Sequence, residues 1–242
     1  MATPSSPSSL RIASWNIHKG VGADRRRDLA RTTRVIAEIA PDLMALQEAD
    51  LRFGTRAGLL DLDHLHAETG MSLLPTGRPG PSHGWHGNLI LARGADLLDL
   101  HPLALPGLEP RGALISDLSL RGHRFRIVAA HLGLLRHSRR AQAQAILARL
   151  STLPPLPTLL MGDLNEWRAG PGSPLSLLAR YFTLPAPVAS FPARLPLLPL
   201  DRMMAGPGHS LADLSAHDTP LARRASDHLP LTARLLIDGA KP

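Results

Sequence analysis

Asn16, Glu48, His131, Asp163, Asn165, Asp201, Asp227 and His228 share one setting in the sequence: each stands at the polar tip of an apolar, β-type run. One such residue would mean little, because Asp and Asn commonly open turns after strands. Eight of them, drawn from six separate segments, are poorly explained by turn formation alone. The mixture suits attack of water on a phosphate ester. A carboxylate and an amide oxygen can hold a hard divalent cation, which polarises a phosphoryl oxygen. A second carboxylate can orient or deprotonate water, and a His–Asp pair can move a proton or steady the pentacoordinate centre. Side-chain alternation along an extended Asp163-Leu164-Asn165 would put carboxylate and amide on one face.

Composition narrows the chemistry further. The chain has no Cys, so thiol nucleophiles, disulfide scaffolds and thiolate metal sites are excluded, and any metal must be held by oxygen or imidazole. There is no G-x-x-x-x-G-K-[ST] phosphate loop, no H-E-x-x-H and no G-x-S-x-G elbow, and Gly20-Val21-Gly22 reads as a turn. Lys and Arg number 27 against 20 Asp and Glu, a formal +7, which favours an anionic partner. Lys19 and Lys241 are the only lysines, no long basic run appears, and aromatics make up 3%, so base-stacking platforms are scarce.

These side chains need elements to carry them. At about 150 residues per domain, 242 residues without an internal linker read as a Ser/Pro-rich disordered lead-in over 1–9 and one domain over 10–242. The first half alternates strand and helix: a strand over Leu10–Ile17, a helix over Arg26–Ala40, a strand over Asp42–Glu48 and a helix over Leu59–Thr69. Strands follow over Asn88–Arg93, Leu97–His101, Ala113–Leu120 and Arg124–Leu132, with short connections that imply antiparallel pairing. A helix over Arg136–Leu150 begins with Arg136, Arg139 and Arg140, which oppose its macrodipole and call for solvation or an anion, solvation being expected. Thr158–Asp163 is a buried strand, and 171–199 is loop-rich with one helix near Leu175–Tyr181. Within that loop the apolar Phe191–Leu200 stretch reads as a packed loop or a lipid-facing lip, with packing favoured. Leu200–Met204 and Leu231–Ile237 are the last two strands. No run of eighteen apolar residues and no signal-like start is present, which predicts a cytoplasmic protein without a membrane span.

Taken in order, Ser-Trp-Asn16-Ile-His18, Leu-Gln-Glu48, Ala-His131-Leu, Gly-Asp163-Leu-Asn165, Leu-Asp201-Arg and Ser-Asp227-His228 resemble the endonuclease/exonuclease/phosphatase (DNase I-like) superfamily over about residues 10–236. Ile-His-Lys-Gly20, His86-Gly-Asn88, Arg111-Gly-Ala-Leu, Asn165-Glu-Trp167 and Phe191-Pro are most similar to a short bacterial branch often encoded beside cardiolipin synthases. The resemblance implies a four-layer α-β-β-α sandwich of two mixed sheets and a divalent-metal-dependent phosphoesterase using Mg²⁺ or Mn²⁺. It implies Glu48 as principal metal ligand with Asn16 and Asp227 beside the metal. Asp163 and Asn165 would position water and phosphate, and His228 would be oriented by Asp201. His131 would be a second imidazole, and Asn88 and Arg111 would contact phosphate oxygens. His18 stands where abasic-site enzymes carry Asp, which argues against that activity. DNA, RNA and a phospholipid head group remain the candidate substrates, the last with peripheral membrane contact. The alternative is a catalytically degenerate module that binds phosphate ligands or nucleic acid.

Overall fold

The computed structural model describes residues 9–51, 54–76 and 80–237. The expected disordered lead-in lies outside them except for Ser9, which already belongs to the first strand. Chain order begins β1 (Ser9–Asn16), a 3₁₀ turn (His18–Gly20), α1 (Leu29–Ile39), β2 (Leu43–Gln47), α2 (Leu62–Thr69), β3 (Ser72–Leu73) and β4 (Leu89–Ala92). It continues with β5 (Ala95–Leu105), β6 (Arg111–Leu120), β7 (His123–His131), α3 (Arg136–Ser151), β8 (Thr158–Asp163) and α4 (Pro174–Leu178). β9 (Asp201–Ala205), β10 (His209–Ala216), α5 (Pro220–Ala225) and β11 (Leu231–Ile237) complete it. Caps set the helix starts later than periodicity alone suggested. The Asp28 carboxylate accepts from Arg31 N–H and that of Asp61 from His64 N–H, so each Asp opens its helix.

The strands form two mixed sheets, ordered β10-β11-β1-β2-β4-β3 and β5-β6-β7-β8-β9. Period-two alternation then dictates four layers. On β1, Leu10 and Ile12 face the second sheet while Ala13 and Trp15 face α1, α2 and α5. On β8, Leu159 and Met161 enter the same inter-sheet core while Leu160 packs with Ala143 and Ile146 of α3. The molecule is therefore the α-β-β-α sandwich that the sequence motifs implied.

Register places the polar tips together. β1 pairs parallel with β2, with Asn16 opposite Gln47, so Glu48 follows at the same sheet end. β7 pairs parallel with β8, with His131 opposite Asp163, and antiparallel β9 sets its first residue, Asp201, opposite Asp163. Trp15 Nε1 donates to the carbonyl of His228 at 2.9 Å, which ties the start of the β11 loop to β1.

Four expectations are corrected. β10 and α5 lie between the strands expected over Leu200–Met204 and Leu231–Ile237, where the sequence predicts no element, so the last two strands are β10 and β11. β10 is an edge strand, partly exposed and bulged between Ala212 and Ser215, and so lacks clean alternation. β5 runs on to Leu105, with Pro102 tolerated on a sheet edge. The strand ends at Asp163, and Asn165 lies at φ 52°, so the two do not share a pleated face; Asn165 N–H instead donates to Asp163 Oδ1 at 2.9 Å. Arg139 is not solvated, contrary to expectation: it is buried, and its guanidinium meets an anion supplied by the chain itself, Glu166 Oε2 at 3.1 Å. Among the described residues no helix is long and apolar enough to cross a membrane.

Gly162 is where this packing tolerates no side chain. Its φ is 148°, and a Cβ there would stand 1.8 Å from the Ala130 carbonyl oxygen on the adjacent strand. Gly162→Ala is expected to cost at least about 2 kcal/mol, read from the urea unfolding midpoint, because left-handed strain adds to a backbone clash. A variant as stable as the parent would contradict the β7–β8 register.

Candidate active site

Asn16, His18, Lys19, Glu48, Arg111, His131, Asp163, Asn165, Asp227 and His228 all line one cleft of about 430 Å³ at the strand ends. The residues at its floor come from both sheets. Asp163 is the hub: its Oδ2 accepts from Asn16 Nδ2 at 3.0 Å and lies 3.5 Å from His131 Nε2 and 3.7 Å from His228 Nε2. His228 Nδ1 meets Asp201 Oδ2 at 2.8 Å, and Ser190 Oγ donates to the same oxygen at 2.5 Å. The loop that carries His228 is strapped down in turn. Ser226 Oγ donates to the carbonyl of Asn16 at 2.7 Å, and Ala193 N–H donates to the carbonyl of Asp227 at 2.7 Å.

Burial and charge act in opposite directions on the two central groups. Burial raises the Asp163 carboxyl and the Asp201 charge adds to it. The His228 charge and the hydrogen bonds from Asn16 and Asn165 offset only part, which leaves Asp163 pushed up to about 6. Burial alone would lower His228, but the charge and hydrogen bond of Asp201, with Asp163 and Asp227 beyond, raise it to about 10. The arrangement is thus an imidazolium held between carboxylates, beside an acid that ionises just below neutrality.

Glu48 stands on the other side of the cleft, just past the end of β2, at φ 54°. Its Oε2 is paired with the ammonium of Lys19, whose own N–H donates to the Glu48 carbonyl at 3.2 Å. Burial would raise Glu48, yet Lys19, then His18 and Arg111, hold it below the usual carboxylate range. His18 Nδ1 lies 3.7 Å from Asp227 Oδ1. A narrow recess continues from Glu48 past Asp50, Arg56, His86 and Arg111.

Arg111 is anchored through Nε and Nη2 to Glu109 Oε2 at 3.1 and 2.9 Å, which leaves Nη1 on the ring nitrogens of His131 at 2.8 and 2.9 Å. Asn88 does not line the cleft. It is fully buried, and its Nδ2 donates to the carbonyls of Trp85 and Gly112 at 3.1 and 3.0 Å, pinning the 85–88 turn to β6. Asn165 likewise uses Nδ2 on the Leu132 carbonyl at 2.9 Å, locking the segments after β7 and β8 together. Lys19 and Ser190 were not singled out from sequence. Lys19 carried a signal, being one of two lysines in an arginine-rich chain; Ser190 carried none.

Two groups of donors suit a cation. Asp163, Asp201 and His228 present ligating atoms within 4.8 Å of one another, close enough to hold a metal ion, although the imidazole is already hydrogen-bonded to Asp201 and lies 3.7 Å from Asp163. Asn16, Glu48 and Asp227 form an oxygen-only set of the kind hard divalent ions prefer. Within the second set, the Lys19 ammonium already offsets the Glu48 charge.

The molecule is a two-sheet α/β sandwich with carboxylates, imidazoles and amides converging at its strand ends. The match to the endonuclease/exonuclease/phosphatase family model over residues 13–228 makes the chain a member of that family, whose members hydrolyse phosphoesters. It is 29% identical to the Escherichia coli K12 protein YbhP, covering 94% of this chain and 96% of that one. An endonuclease/exonuclease/phosphatase family protein from Bacteroides thetaiotaomicron superposes with a TM-score of 0.74 at 17% identity, over 97% of this chain and all of the other. The mannosyl-6-phosphatase Bt3783 of the same species superposes at 0.73 and 17% identity, covering 94% of this chain and 100% of that one.

The electrostatics can be checked directly. The His228 ring should remain protonated at neutral pH and lose its proton only near pH 10, read from imidazole nitrogen chemical shifts. Asp201→Asn should bring that titration back toward the ordinary value of 6.5. A neutral ring in the parent protein at neutral pH would refute the charge assignment.

Proposed function

We propose that the protein is a divalent-metal-dependent phosphoesterase that hydrolyses a phosphodiester by in-line attack of water. The observation that carries this reading is the convergence of Glu48, Asp163 and His228, from both sheets, on one cleft. Asn16, Glu48 and Asp227 would hold Mg²⁺ or Mn²⁺, which when bound supplies a Lewis acid for a phosphoryl oxygen. Asp163, with an acidity matched to neutral pH, accepts the proton of the attacking water, and Asn16 Nδ2 and Asn165 N–H fix its orientation. His228, kept cationic by Asp201, offers Nε2–H to the phosphoryl group as negative charge develops there and can pass that proton to the departing oxygen. Arg111 and His131 stand beside Asp163, and the Arg111 guanidinium, already engaged by Glu109 and His131, would lend its positive charge to the phosphoryl group. The water proton moves to Asp163, the phosphorus–oxygen ester bond breaks, and no covalent enzyme intermediate is required. Asn88, buried and engaged with backbone carbonyls, acts through the turn it holds.

Hydrolysis of an aryl phosphodiester in Mg²⁺ or Mn²⁺ tests this. Activity should vanish with chelator and return with metal, and Glu48→Ala and His228→Ala should each lower kcat/KM by about 10²- to 10⁴-fold. Activity that survives both substitutions would sink the site assignment. None with any metal would leave a phosphate-binding module.

A further inference from the structure

The rim of the cleft has a composition that the chemistry of its floor does not require. Six of the ten exposed large apolar side chains among the described residues, Leu108, Leu134, Leu135, Trp167, Leu195 and Leu197, sit on the four segments around the cleft mouth. Leu134 and Trp167 line the mouth itself, and Leu198, next to Leu197, lines it from the facing segment. Leu108 joins the same rim because Glu109 Oε1 accepts from Leu134 N–H at 2.7 Å.

This exposure is built into ordered backbone. The 190–198 segment is a hydrogen-bonded loop, in which Phe191 N–H donates to the Leu198 carbonyl at 3.1 Å and Leu198 N–H to the Phe191 carbonyl at 2.8 Å. It turns Phe191 inward onto the His228 ring, with centroids 4.8 Å apart, and leaves Leu195 and Leu197 64% and 66% exposed at its tip. Leu108 is 82% exposed. Large apolar side chains grouped on one face mark an interaction surface, whereas scattered ones do not.

Charge selects the partner. Within residues 106–110, 132–140, 167–173 and 191–200 the only acid is Glu109, which is ion-paired with Arg111. Arg136, Arg140, Arg168 and Arg194 are exposed in the same segments, and the Arg168 guanidinium lies 5.5 Å from the centre of the Trp167 ring. Leucines and a tryptophan that project between arginines match an anionic lipid interface, where acyl chains take the apolar tips and headgroups the cations. A second copy of the chain meeting face to face would set these arginines against themselves. A nucleic acid would gain nothing from exposed leucines.

We propose that the cleft mouth docks on an anionic phospholipid surface, and that the phosphoester it draws in is a lipid headgroup. The second half rests on the phosphoesterase reading; the docking does not. The test is co-sedimentation with phosphatidylcholine vesicles with and without phosphatidylglycerol, in chelator so that no lipid is consumed. The parent protein should sediment with the anionic vesicles and stay in solution with the neutral ones. Leu195→Ser combined with Leu197→Ser should weaken that binding by about tenfold. Arg140→Gln combined with Arg168→Gln should weaken it comparably. With metal restored, the leucine variant should keep the parent's rate on a soluble aryl phosphodiester and lose its rate on vesicle phosphatidylglycerol. Equal binding to neutral vesicles, no binding to either, or leucine substitutions that leave binding intact would overturn the docking. So would loss of a dimer in sedimentation velocity with vesicle binding unchanged, which would assign the face to a second copy. Anionic vesicle binding by a protein inactive on every phosphoester would uphold the docking and overturn the headgroup substrate.

Discussion

Three side chains at the floor of the cleft, Asp163, His228 and Asp201, depend on one another for their charges. Each carboxylate is buried, and a buried charge without a partner costs several kcal/mol. The imidazolium compensates both acids at once through Nδ1 and Nε2, and Ser190 supplies a further donor to Asp201. Removing any one member would strand another, at a cost of about 3–5 kcal/mol by analogy with broken buried ion pairs. The same frustration is chemically useful. Burial first, and then the neighbouring Asp201 charge, push the Asp163 carboxyl up to about 6.

Much of the tertiary structure serves to bring these residues into register. Two parallel pairs, β1–β2 and β7–β8, end at a common rim, and the antiparallel approach of β9 places Asp201 beside Asp163. Gly162 permits the close β7–β8 pairing, because β7 lies too close for a Cβ. Trp15, one of the largest buried side chains, packs against the helices on one face of its sheet and uses its indole N–H to hold the His228 loop. A single residue so links core packing to the position of the His228 imidazole.

The buried strands and the cleft residues left short-range traces in the sequence, whereas the four-layer sandwich was implied by the resemblance of the motifs in order. Buried strands read as apolar runs, and a polar residue at each tip breaks the run abruptly, as at Asn16 and Asp163. What escaped depends on long-range packing. β10 is defined by its pairing to β11 across a bulge, with partly exposed side chains that carry no alternation. Ser190 meets Asp201 only because the 190–198 loop folds over the cleft. Arg139 looked like surface charge because its partner, Glu166, lies 27 residues away on the far side of β8. Asn88 entered the candidate site only through the resemblance of the His86-Gly-Asn88 motif; its amide instead satisfies backbone carbonyls.

The choice between Lys and Arg along the chain follows the same physics. Arginine serves where a planar fork can grip a carboxylate permanently, as in Arg126 with Asp117, whose Nε and Nη2 contacts are 2.6 and 2.7 Å, or Arg111 with Glu109. At Glu48 the chain instead places one of its two lysines. An ammonium is a compact point charge that grips a single oxygen on a flexible stem, so it compensates Glu48 without closing the carboxylate off. A bidentate guanidinium there would compete for both oxygens and resist displacement by any incoming cation. Lysine at position 19 therefore holds Glu48 below the usual carboxylate range while gripping one of its oxygens, Oε2.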